Sequence, residues 1–329
     1  MNGFVHGIRW LGVLLIGIGF GLSNTVNAAA WADTARPCIA FSPYVAGYHP
    51  DYGPHPPHSL IERLLDRVIE QTPFRCIMSY GVLNGLDHVV EAARQRQLEV
   101  FLILWLDDDP AVNTASIAQG LKILRRYPDT VTRVSCGSEL RTRHGSDWDR
   151  EIVRCIASLK HQGITHPITS IDTWWEWCNR ASPCQVSTLA QHVDWIGINV
   201  FAWWENHYTG LFPCIGVNEA AAFHLARLAE VRGIYPRKPV QLVEFGWPHG
   251  PNNTAPRHPL TGRDCDAASF VHQRTVITTT LAALQKHGER GVVFSAFDEP
   301  WKAEKEGISG AYWGICEGRA PFACRKVWP

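Results

Sequence analysis

The sequence predicts a single α/β domain folded as a (β/α)8 TIM barrel. Three observations favour this fold class over a doubly wound sheet. Eight apolar runs of strand length recur along the chain, helical patterns lie between them, and no break in composition divides residues 29–329 into two domains. A length of about 300 residues is ordinary for one barrel of this kind.

The eight apolar runs lack the strict polar and apolar alternation of a half-buried strand. Strands that are buried on both faces, as in the parallel sheet of a barrel, read as nearly continuous apolar segments. The predicted strands are IAFSPYV (39–45), RCIMSYG (75–81), EVFLILW (99–105), VTRVSCGSE (131–139), HPITSIDTW (166–174), DWIGINVFA (194–202), KPVQLVEFGWP (238–248) and GVVFSAFD (291–298).

The segments between these runs show helical spacing. SLIERLLDRVIEQ places Ile61, Leu64, Leu65, Val68 and Ile69 on one face, and LDHVVEAARQRQ repeats the pattern. A helix with one apolar face packs that face against the sheet. Further helices are predicted near 114–126, 147–161, 218–232 and 267–287.

Residues 1–28 predict a secretory signal peptide. Arg9 precedes the apolar stretch WLGVLLIGIGFGL, and the small residues of VNAAA follow it, with cleavage predicted after Ala28. The mature chain, residues 29–329, is therefore expected to be exported to the periplasm or the extracellular space. An uncleaved membrane anchor is an alternative for this segment, and no other run is long enough to span a bilayer.

The charge balance predicts a neutral binding partner. Lys and Arg together number 31 and so do Asp and Glu, which leaves no excess of basic residues for nucleic acid or an anionic membrane. The chain also has 14 tryptophans. Exposed indole rings stack on the apolar faces of sugars or on bases, although any single tryptophan is more often a packing residue.

Ten cysteines in an exported chain predict disulfides rather than metal ligands. Close spacing favours the pairs Cys178 with Cys184 and Cys316 with Cys324. Cys38 and Cys76 stand at the starts of the first two predicted strands, where they could face each other and pair. The pairing of the other four, Cys136, Cys155, Cys214 and Cys265, stays open. Because the sequence contains no zinc-binding motif, we expect neither a metal nor a cofactor.

Carboxylates stand at the ends of several predicted strands. Glu139 ends the fourth strand, Glu244 lies near the end of the seventh, and Asp298 and Glu299 follow the eighth. In a barrel these ends meet on the face where active sites lie. Two carboxylates across the barrel mouth, among many aromatic residues, favour glycoside hydrolysis. The alternative is that Glu139 and Glu244 are core groups paired with arginine or lysine.

Four segments give the sequence its resemblance to a known family. VSCGSEL, LVEFGWP, AFDEPWK and EGISGAYWGI occur in that order, and the sequence resembles glycoside hydrolase family 17 in these segments, its bacterial members in particular. IAFSPY, RCIMSYG and DWIGINVFAWWEN are also similar to the first, second and sixth strands of that family. The resemblance implies a TIM-barrel enzyme that acts on β-1,3-glucan.

The resemblance also implies roles for individual residues. Glu139 matches the acid/base and Glu244 the nucleophile of a retaining double displacement, whose carboxyl groups lie about 5–5.5 Å apart. Glu299 and Lys302 match supporting positions, where the lysine cation would help to keep Glu244 ionised, and Glu306 matches a later family glutamate. The alternative for Glu299 and Lys302 is a surface salt bridge. The expected substrate-binding residues are Ser138, Tyr44, Tyr80, Trp174, Phe201, Trp203, Trp204, Trp247, Glu299, Trp301 and Lys302.

Two departures from the family pattern affect the expected site. Ser138 stands where related enzymes have an asparagine that contacts the 2-hydroxyl of the substrate, and a hydroxyl cannot donate two hydrogen bonds. Phe201 and Trp203 stand where members often have tyrosine. We therefore expect a phenolic hydroxyl to be missing near the nucleophile.

Three functional readings follow from the sequence. The leading one is a retaining enzyme on β-1,3-glucan or laminari-oligosaccharides, with a slight preference for transfer of the sugar to another sugar over hydrolysis. The second is a glucan-binding barrel with weak catalysis, which Ser138 favours and the presence of both carboxylates opposes. A metal-dependent hydrolase is the third and least supported.

Overall fold

The computed structural model describes residues 37–209, 211–251 and 254–328. The predicted signal peptide, residues 1–28, lies outside the described residues. Within the described ranges, no helix combines the length and the apolar character that a membrane span needs. Tests of the fold prediction therefore concern the mature domain.

Eight parallel strands form the sheet, in the order β7-β6-β5-β4-β3-β2-β1-β8. A parallel bridge between Phe245, which follows β7, and Val293 of β8 joins the two ends of this order and closes the barrel. The predicted (β/α)8 fold is confirmed. The strands are β1 Cys38–Phe41, β2 Cys76–Ser79, β3 Glu99–Leu104, β4 Val131–Ser138, β5 Ile168–Thr173, β6 Ile196–Asn199, β7 Val240–Glu244 and β8 Val292–Val293.

The longer helices pack around the sheet as their apolar spacing predicts. In α1, Ile61, Leu64, Leu65 and Val68 are buried, whereas Ile69 at the edge of the same face is half-buried. The helices that follow most of the strands are α1 His58–Gln71, α2 Val89–Gln95, α3 Pro110–Arg126, α4 Asp149–His161, α5 Trp174–Trp177, α6 Ala220–Ile234 and α7 Phe270–Lys286.

The connection from β5 to β6 departs from a regular βα unit. It contains the four-residue helix α5 and a 3-10 helix at Thr188–Gln191 instead of a long helix. Short helical segments also lie in the connections that follow the strand ends, at Leu140–His144, Ala202–Trp204, Glu205–Thr209 (a π-helix) and Ala303–Glu306. These short segments belong to the loops of the C-terminal face, where a barrel carries its functional residues.

Five disulfides connect the ten cysteines. The predicted pairs Cys38–Cys76, Cys178–Cys184 and Cys316–Cys324 are confirmed. The four cysteines left open form Cys136–Cys155, which joins β4 to α4, and Cys214–Cys265, which joins the loops after β6 and β7. Such a set of disulfides is typical of chains that fold outside the reducing cytosol.

Candidate active site

Glu139 is presented by an irregular end of β4. The pairing of β4 with β5 shifts register between Ser135 and Ser138, and Gly137 has a φ of 81°. Glu139 itself has a φ of 53°, in the left-handed region that non-glycine residues seldom adopt. Left-handed backbone at a non-glycine residue is concentrated at functional sites, because it is kept only where the surroundings hold it in place.

Side-chain and backbone contacts with β5 hold this bulge. The Ser135 hydroxyl donates to the Gly137 carbonyl at 2.6 Å and accepts from the Ile171 backbone N–H at 3.0 Å. The backbone N–H of Glu139 donates to the Ile171 carbonyl at 2.8 Å. The unusual backbone at Glu139 is therefore supported by the neighbouring strand.

Asp172, near the end of β5, anchors the turn that follows Glu139. Its carboxylate accepts from the Arg141 backbone N–H at 2.9 Å and from the Thr142 hydroxyl at 2.6 Å. Burial raises the pKa of Asp172 to about 7, and the hydrogen bond from Thr142 opposes that rise. The sequence analysis missed this residue, although a carboxylate at the end of an apolar strand is the same signal that identified Glu244.

Glu244 ends β7 and is buried in the barrel mouth. The Tyr80 hydroxyl donates to its Oε1 at 2.8 Å, and the Asn199 side-chain amide donates to its Oε2 at 3.0 Å. The expectation that a phenolic hydroxyl is missing near this residue is wrong. Tyr80 follows β2, so the hydroxyl comes from another strand than the sixth, where the family pattern placed it.

Asn199 at the end of β6 connects the two candidate catalytic carboxylates. Its Nδ2 donates to Glu139 Oε1 at 2.8 Å and to Glu244 Oε2 at 3.0 Å. Two oxygens that accept from the same nitrogen lie within about 6 Å of each other. The sequence analysis did not identify Asn199, but it stands at the end of the apolar run DWIGIN, where a polar residue could have been noticed.

The electrostatics around Glu244 favour its protonated form. Burial first, and the negative charge of Glu139 second, raise the pKa of Glu244 to about 8. The hydrogen bond from Tyr80 and the cation of Lys302 act in the opposite direction. Glu244 therefore favours its protonated form near neutral pH in the free protein. The expected effect of Lys302 is present, but burial and Glu139 outweigh it.

Lys302 and Glu299 form a buried pair rather than a surface salt bridge. Lys302 Nζ lies 2.9 Å from Glu299 Oε2, and the side chains are 10% and 3% exposed. The Trp301 indole N–H donates to Glu299 Oε1 at 3.2 Å, and Lys302 Nζ lies 4.3 Å from the centre of the Phe294 ring. These contacts fix the cation beside the barrel mouth, and the surface alternative is wrong.

The alternative in which the two glutamates are ion-paired core groups also lacks support. Among the described residues, no lysine, arginine or histidine nitrogen lies within 4.0 Å of a carboxylate oxygen of Glu139 or Glu244. Their partners are the neutral donors Asn199 and Tyr80. Neutral donors leave both carboxylates free to exchange a proton.

The structure divides the expected aromatic binding residues into two groups. Trp174, Trp203 and Trp247 are at most 2% exposed, and Trp203 packs edge-on against Trp247 with ring centres 5.2 Å apart. Phe201 packs against Phe294 and Trp313. These four residues present no open ring face to a sugar, so the structure corrects their expected substrate contact to a packing role.

Tyr44 and Ser138 are buried near the rim. The Tyr44 hydroxyl donates to the Asn84 carbonyl at 2.8 Å, which joins the loops after β1 and β2. The Ser138 carbonyl accepts from Arg143 Nη2 at 3.3 Å. The Tyr44 hydrogen bond therefore helps to hold the loops of the rim together. Ser138 directly precedes Glu139 in the chain.

Four accessible aromatic residues lie on three loops, which follow β1, β6 and β8. Trp204 and Trp301 are half-buried. Tyr208, which is 62% exposed, stacks on Trp204 at 5.4 Å, and Tyr52 stacks on the His49 ring at 3.6 Å. The sequence analysis named Trp204 and Trp301 but missed the two tyrosines, which lie in segments without a strand pattern.

One cluster of three possible metal ligands occurs in the described part of the chain, formed by Cys178, Cys184 and Glu230. Cys178 and Cys184 are joined in a disulfide. A metal is bound by the thiolate form of cysteine, which a disulfide removes. This cluster therefore gives no metal site.

Comparison of its sequence with known proteins places the chain among glycoside hydrolases. Residues 38–314 match the family model described as the BtgE/BtgC glycoside hydrolase domain. The cell surface mannoprotein MP65 of Candida albicans is 24% identical over 258 residues, 77% of this chain and 61% of that protein. The probable family 17 glucosidase SCW4 of Saccharomyces cerevisiae is 25% identical over 249 residues, 74% of this chain and 58% of that protein.

Solved structures share the fold at low sequence identity. A family 17 β-1,3-glucanosyltransferase from Rhizomucor miehei superimposes with a TM-score of 0.68 at 16% identity, covering 90% of this chain and 97% of that one. An endo-laminarinase from Formosa gives a TM-score of 0.71 at 18% identity, covering 89% of this chain and 86% of that one. The chain spans only about 60% of the length of the two fungal relatives named above.

Proposed function

The chain belongs to the BtgE/BtgC glycoside hydrolase family, and from this membership we propose that it is an exported retaining enzyme that acts on β-1,3-glucan. Glu139 is the acid/base and Glu244 is the nucleophile in this proposal. Membership rests on a family model that spans residues 38–314. The β-1,3 linkage is supported by the family 17 resemblance and by the names of structural neighbours, which include glucanosyltransferases and a laminarinase.

The observation that carries the proposal is the amide nitrogen shared by the two carboxylates. Asn199 Nδ2 donates to both Glu139 and Glu244, at 2.8 and 3.0 Å. In retaining enzymes the two carboxyl groups lie about 5–5.5 Å apart, whereas inverting enzymes separate them by about 6.5–9.5 Å to admit a water. A shared donor supports the shorter separation and thus direct attack by a carboxylate.

In the first step the protonated Glu139 gives its proton to the glycosidic oxygen as the bond from that oxygen to the anomeric carbon breaks. Glu244 forms a bond to the anomeric carbon from the opposite face, and the leaving sugar departs with its new hydroxyl. This step needs a proton on Glu139 and the negative charge on Glu244. Tyr80 and Lys302 act towards that arrangement because each stabilises charge on Glu244, whereas burial of Glu244 and the charge of Glu139 act against it.

In the second step a hydroxyl group attacks the anomeric carbon and the bond to Glu244 breaks. The Glu139 carboxylate takes the proton of the attacking hydroxyl, which restores the starting pair. If the hydroxyl belongs to water, the outcome is hydrolysis. If it belongs to a second sugar, the outcome is transfer and a longer glucan.

We favour transfer slightly over hydrolysis. The rim carries aromatic rings that an acceptor sugar can stack on, in particular the exposed Tyr208, which packs on Trp204, and Trp301 on the loop after β8. Aromatic faces hold sugars without charge, which suits the balanced charge of the chain. Hydrolysis by the same glycosyl-enzyme is the alternative.

A glucan-binding barrel with weak catalysis is the second candidate. Ser138 in place of asparagine is the observation that favours it. Against it stand the buried donors arranged around both carboxylates, since a binding protein has no need to hold two carboxylates together against their repulsion. The Glu244→Gln variant distinguishes the two candidates, because an enzyme loses its activity with this change, whereas a binding protein keeps its affinity for glucan.

The experiment that separates these readings uses laminari-oligosaccharides. The mature protein and its Glu244→Gln variant are incubated with the oligosaccharides, and products are followed over time by mass spectrometry and chromatography. We expect products longer than the substrate from the wild type and none from the variant. Shorter products alone indicate hydrolysis. No products from either protein, with oligosaccharide binding intact in both, overturn the enzyme reading.

Export is part of the proposal. The predicted signal peptide at residues 1–28 and the five disulfides both support folding in the periplasm or outside the cell. One fungal relative is named a cell surface mannoprotein. Expression of the full chain followed by N-terminal sequencing of the exported product tests cleavage after Ala28.

A further inference from the structure

We propose that Asn199 binds the 2-hydroxyl of the reacting sugar through its side-chain oxygen, and so performs from β6 the task that Ser138 cannot perform from β4. The inference rests on the proposed function, because it requires a sugar held between Glu139 and Glu244. It adds a substrate contact that decides which sugar is accepted at the reacting position.

The first observation is a buried oxygen without a partner. Asn199 is 1% exposed, and its Oδ1 accepts no hydrogen bond from any described residue. Buried polar atoms in folded proteins nearly always have a partner, and each exception needs an explanation. An acceptor that receives its donor from the substrate is such an explanation.

The second observation fixes which atom of the amide is unpartnered. An amide nitrogen carries two hydrogens, and both are directed at carboxylate oxygens, of Glu139 and of Glu244. Reversing the amide would place its oxygen against the acceptor oxygens of two carboxyl groups, which is unfavourable. Oδ1 is therefore the group left for a ligand, and it can only accept a hydrogen bond.

The chemistry of the proposed reaction identifies the donor. The anomeric carbon must lie between Glu139 and Glu244, and the 2-hydroxyl is carried by the carbon next to it. Hydrogen bonds to the 2-hydroxyl of a glycoside become stronger in the transition state. Because the nitrogen of the Asn199 amide contacts both carboxylates, Oδ1 of the same amide lies beside the gap that the anomeric carbon must occupy, and binding of the sugar must uncover Oδ1 for it to accept from the 2-hydroxyl.

The strand pairing explains how Asn199 can replace a residue next to Glu139. Ser138 of β4 pairs with Ile171 of β5, and Asn199 of β6 pairs with Thr173 of the same strand. The two residues therefore lie on either side of β5, at the same end of the barrel. The side chain of Ser138 is shorter than that of an asparagine and cannot contact both carboxylates, whereas the side chain of Asn199 contacts both.

The test is a cycle of substrate and protein changes. Two aryl β-laminaribiosides are compared as donors, one with the natural 2-hydroxyl on the ring that carries the aryl group and one with hydrogen in its place. The value of kcat/KM is measured for both donors with the wild type, Asn199→Ala, Asn199→Ser and the matched control Ser138→Ala. Thermal melting of each variant verifies that it is folded.

The ratio of the two kcat/KM values is the informative quantity, because intrinsic reactivity of the donors cancels between proteins. We expect the preference for the 2-hydroxyl donor to fall by about tenfold or more in both Asn199 variants, as for one lost hydrogen bond to substrate, and to stay unchanged in Ser138→Ala. A purely structural role of Asn199 would lower both rates equally and leave the ratio as in the wild type.

Two results overturn the inference in different ways. An unchanged ratio in the folded Asn199 variants, or a ratio that falls in Ser138→Ala instead, shows that Asn199 does not bind the 2-hydroxyl while the proposed enzyme function stands. If the folded wild type turns over neither donor, the proposed function itself fails, and the inference fails with it.

Discussion

The Tyr80→Phe variant tests how the charge on Glu244 is stabilised. The substitution removes one oxygen and leaves the ring in place. In the wild type the Tyr80 hydroxyl donates to Glu244 Oε1 at 2.8 Å, in a buried site where Asn199 supplies the other hydrogen bond. After the substitution, Oε1 of Glu244 loses the neutral hydrogen-bond donor that the Tyr80 hydroxyl supplied.

The expected magnitude follows from the strength of one hydrogen bond to a charged group. Such a bond contributes about 1.5–3 kcal/mol, which corresponds to roughly 1–2 pKa units. Tyr80 lowers the pKa of Glu244, which burial and Glu139 together raise to about 8. Its loss therefore raises that pKa further, and a smaller fraction of the enzyme carries a charged Glu244.

Two changes in kcat/KM follow from this shift. The fraction of enzyme with a protonated Glu139 and a charged Glu244 falls, so the maximum of kcat/KM should fall by about 10- to 100-fold. The alkaline limb of the pH profile should move to higher pH, because the pair gives up its last proton less readily. Both are measured with an aryl β-laminaribioside between pH 5 and 10, where loss of the aryl group is followed by absorbance.

Tyr44→Phe is the matched control. Tyr44 is also buried near the rim, but its hydroxyl donates to the Asn84 carbonyl at 2.8 Å and to no carboxylate. We expect this variant to keep the wild-type pH profile. If Tyr80→Phe leaves both the maximum and the alkaline limb unchanged, or if Tyr44→Phe changes them equally, the assigned role of Tyr80 in stabilising Glu244 is incorrect.

Three further predictions concern stability and binding. The folded pKa of Glu244, about 8, exceeds its ordinary value of 4.5, so the unfolded chain releases this proton first and wild-type stability falls as pH rises between these values. Glu244→Gln removes this titration, so between pH 4.5 and pH 8 its free energy of unfolding in urea should fall by on the order of 4 kcal/mol less than that of the wild type; equal pH dependence in both proteins would contradict it. Asp172→Asn keeps the shape of the side chain but turns one acceptor into a donor, so the free energy of unfolding should fall by about 1–3 kcal/mol. The value of kcat should also fall, because the turn that follows Glu139 loses its anchor. A normal kcat would show that Asp172 does not support the site. Tyr208→Ala should weaken binding of long laminari-oligosaccharides, measured by calorimetry, by about five- to tenfold more than binding of the disaccharide, and an equal loss for both lengths would argue against a distal sugar contact.

The fold and the two glutamates could be predicted because they depend on local sequence patterns. The apolar runs predicted the location of each strand. Because the C-terminal ends of the strands meet on one face of a barrel, Glu139 and Glu244 were expected on that face. The observed strands are shorter than the runs that predicted them, as in the case of residues 238–248 and β7. The last residues of such runs leave the sheet to form the functional loops.

The partners of the glutamates could not be predicted because they come from strands distant in sequence. Tyr80 lies 164 residues before Glu244, and Asn199 lies 60 residues after Glu139. The sequence shows that both are polar or aromatic residues near strand ends, but only the closed barrel determines which end meets which. The raised pKa of Glu244, which results from its burial in the closed barrel, could likewise not be predicted from the sequence.

The aromatic residues show a second limit of sequence reasoning. Trp203 and Trp204 are neighbours in the chain and both match the expected rim, yet one is buried against Trp247 and the other is half-buried beneath Tyr208. Adjacent side chains in a short helical segment point in different directions. Without the backbone of the loop, the packing residue and the accessible residue cannot be told apart.

The most direct test of Glu244 as the nucleophile of a retaining enzyme is the capture of its covalent intermediate. The mature protein is incubated with an activated 2-deoxy-2-fluoro laminaribiosyl donor, and the intact protein and its peptides are analysed by mass spectrometry. We expect one added laminaribiosyl group, located on Glu244 and absent from Glu244→Gln. An adduct on another residue, or none while the protein still turns over the natural donor, would contradict the proposed double displacement.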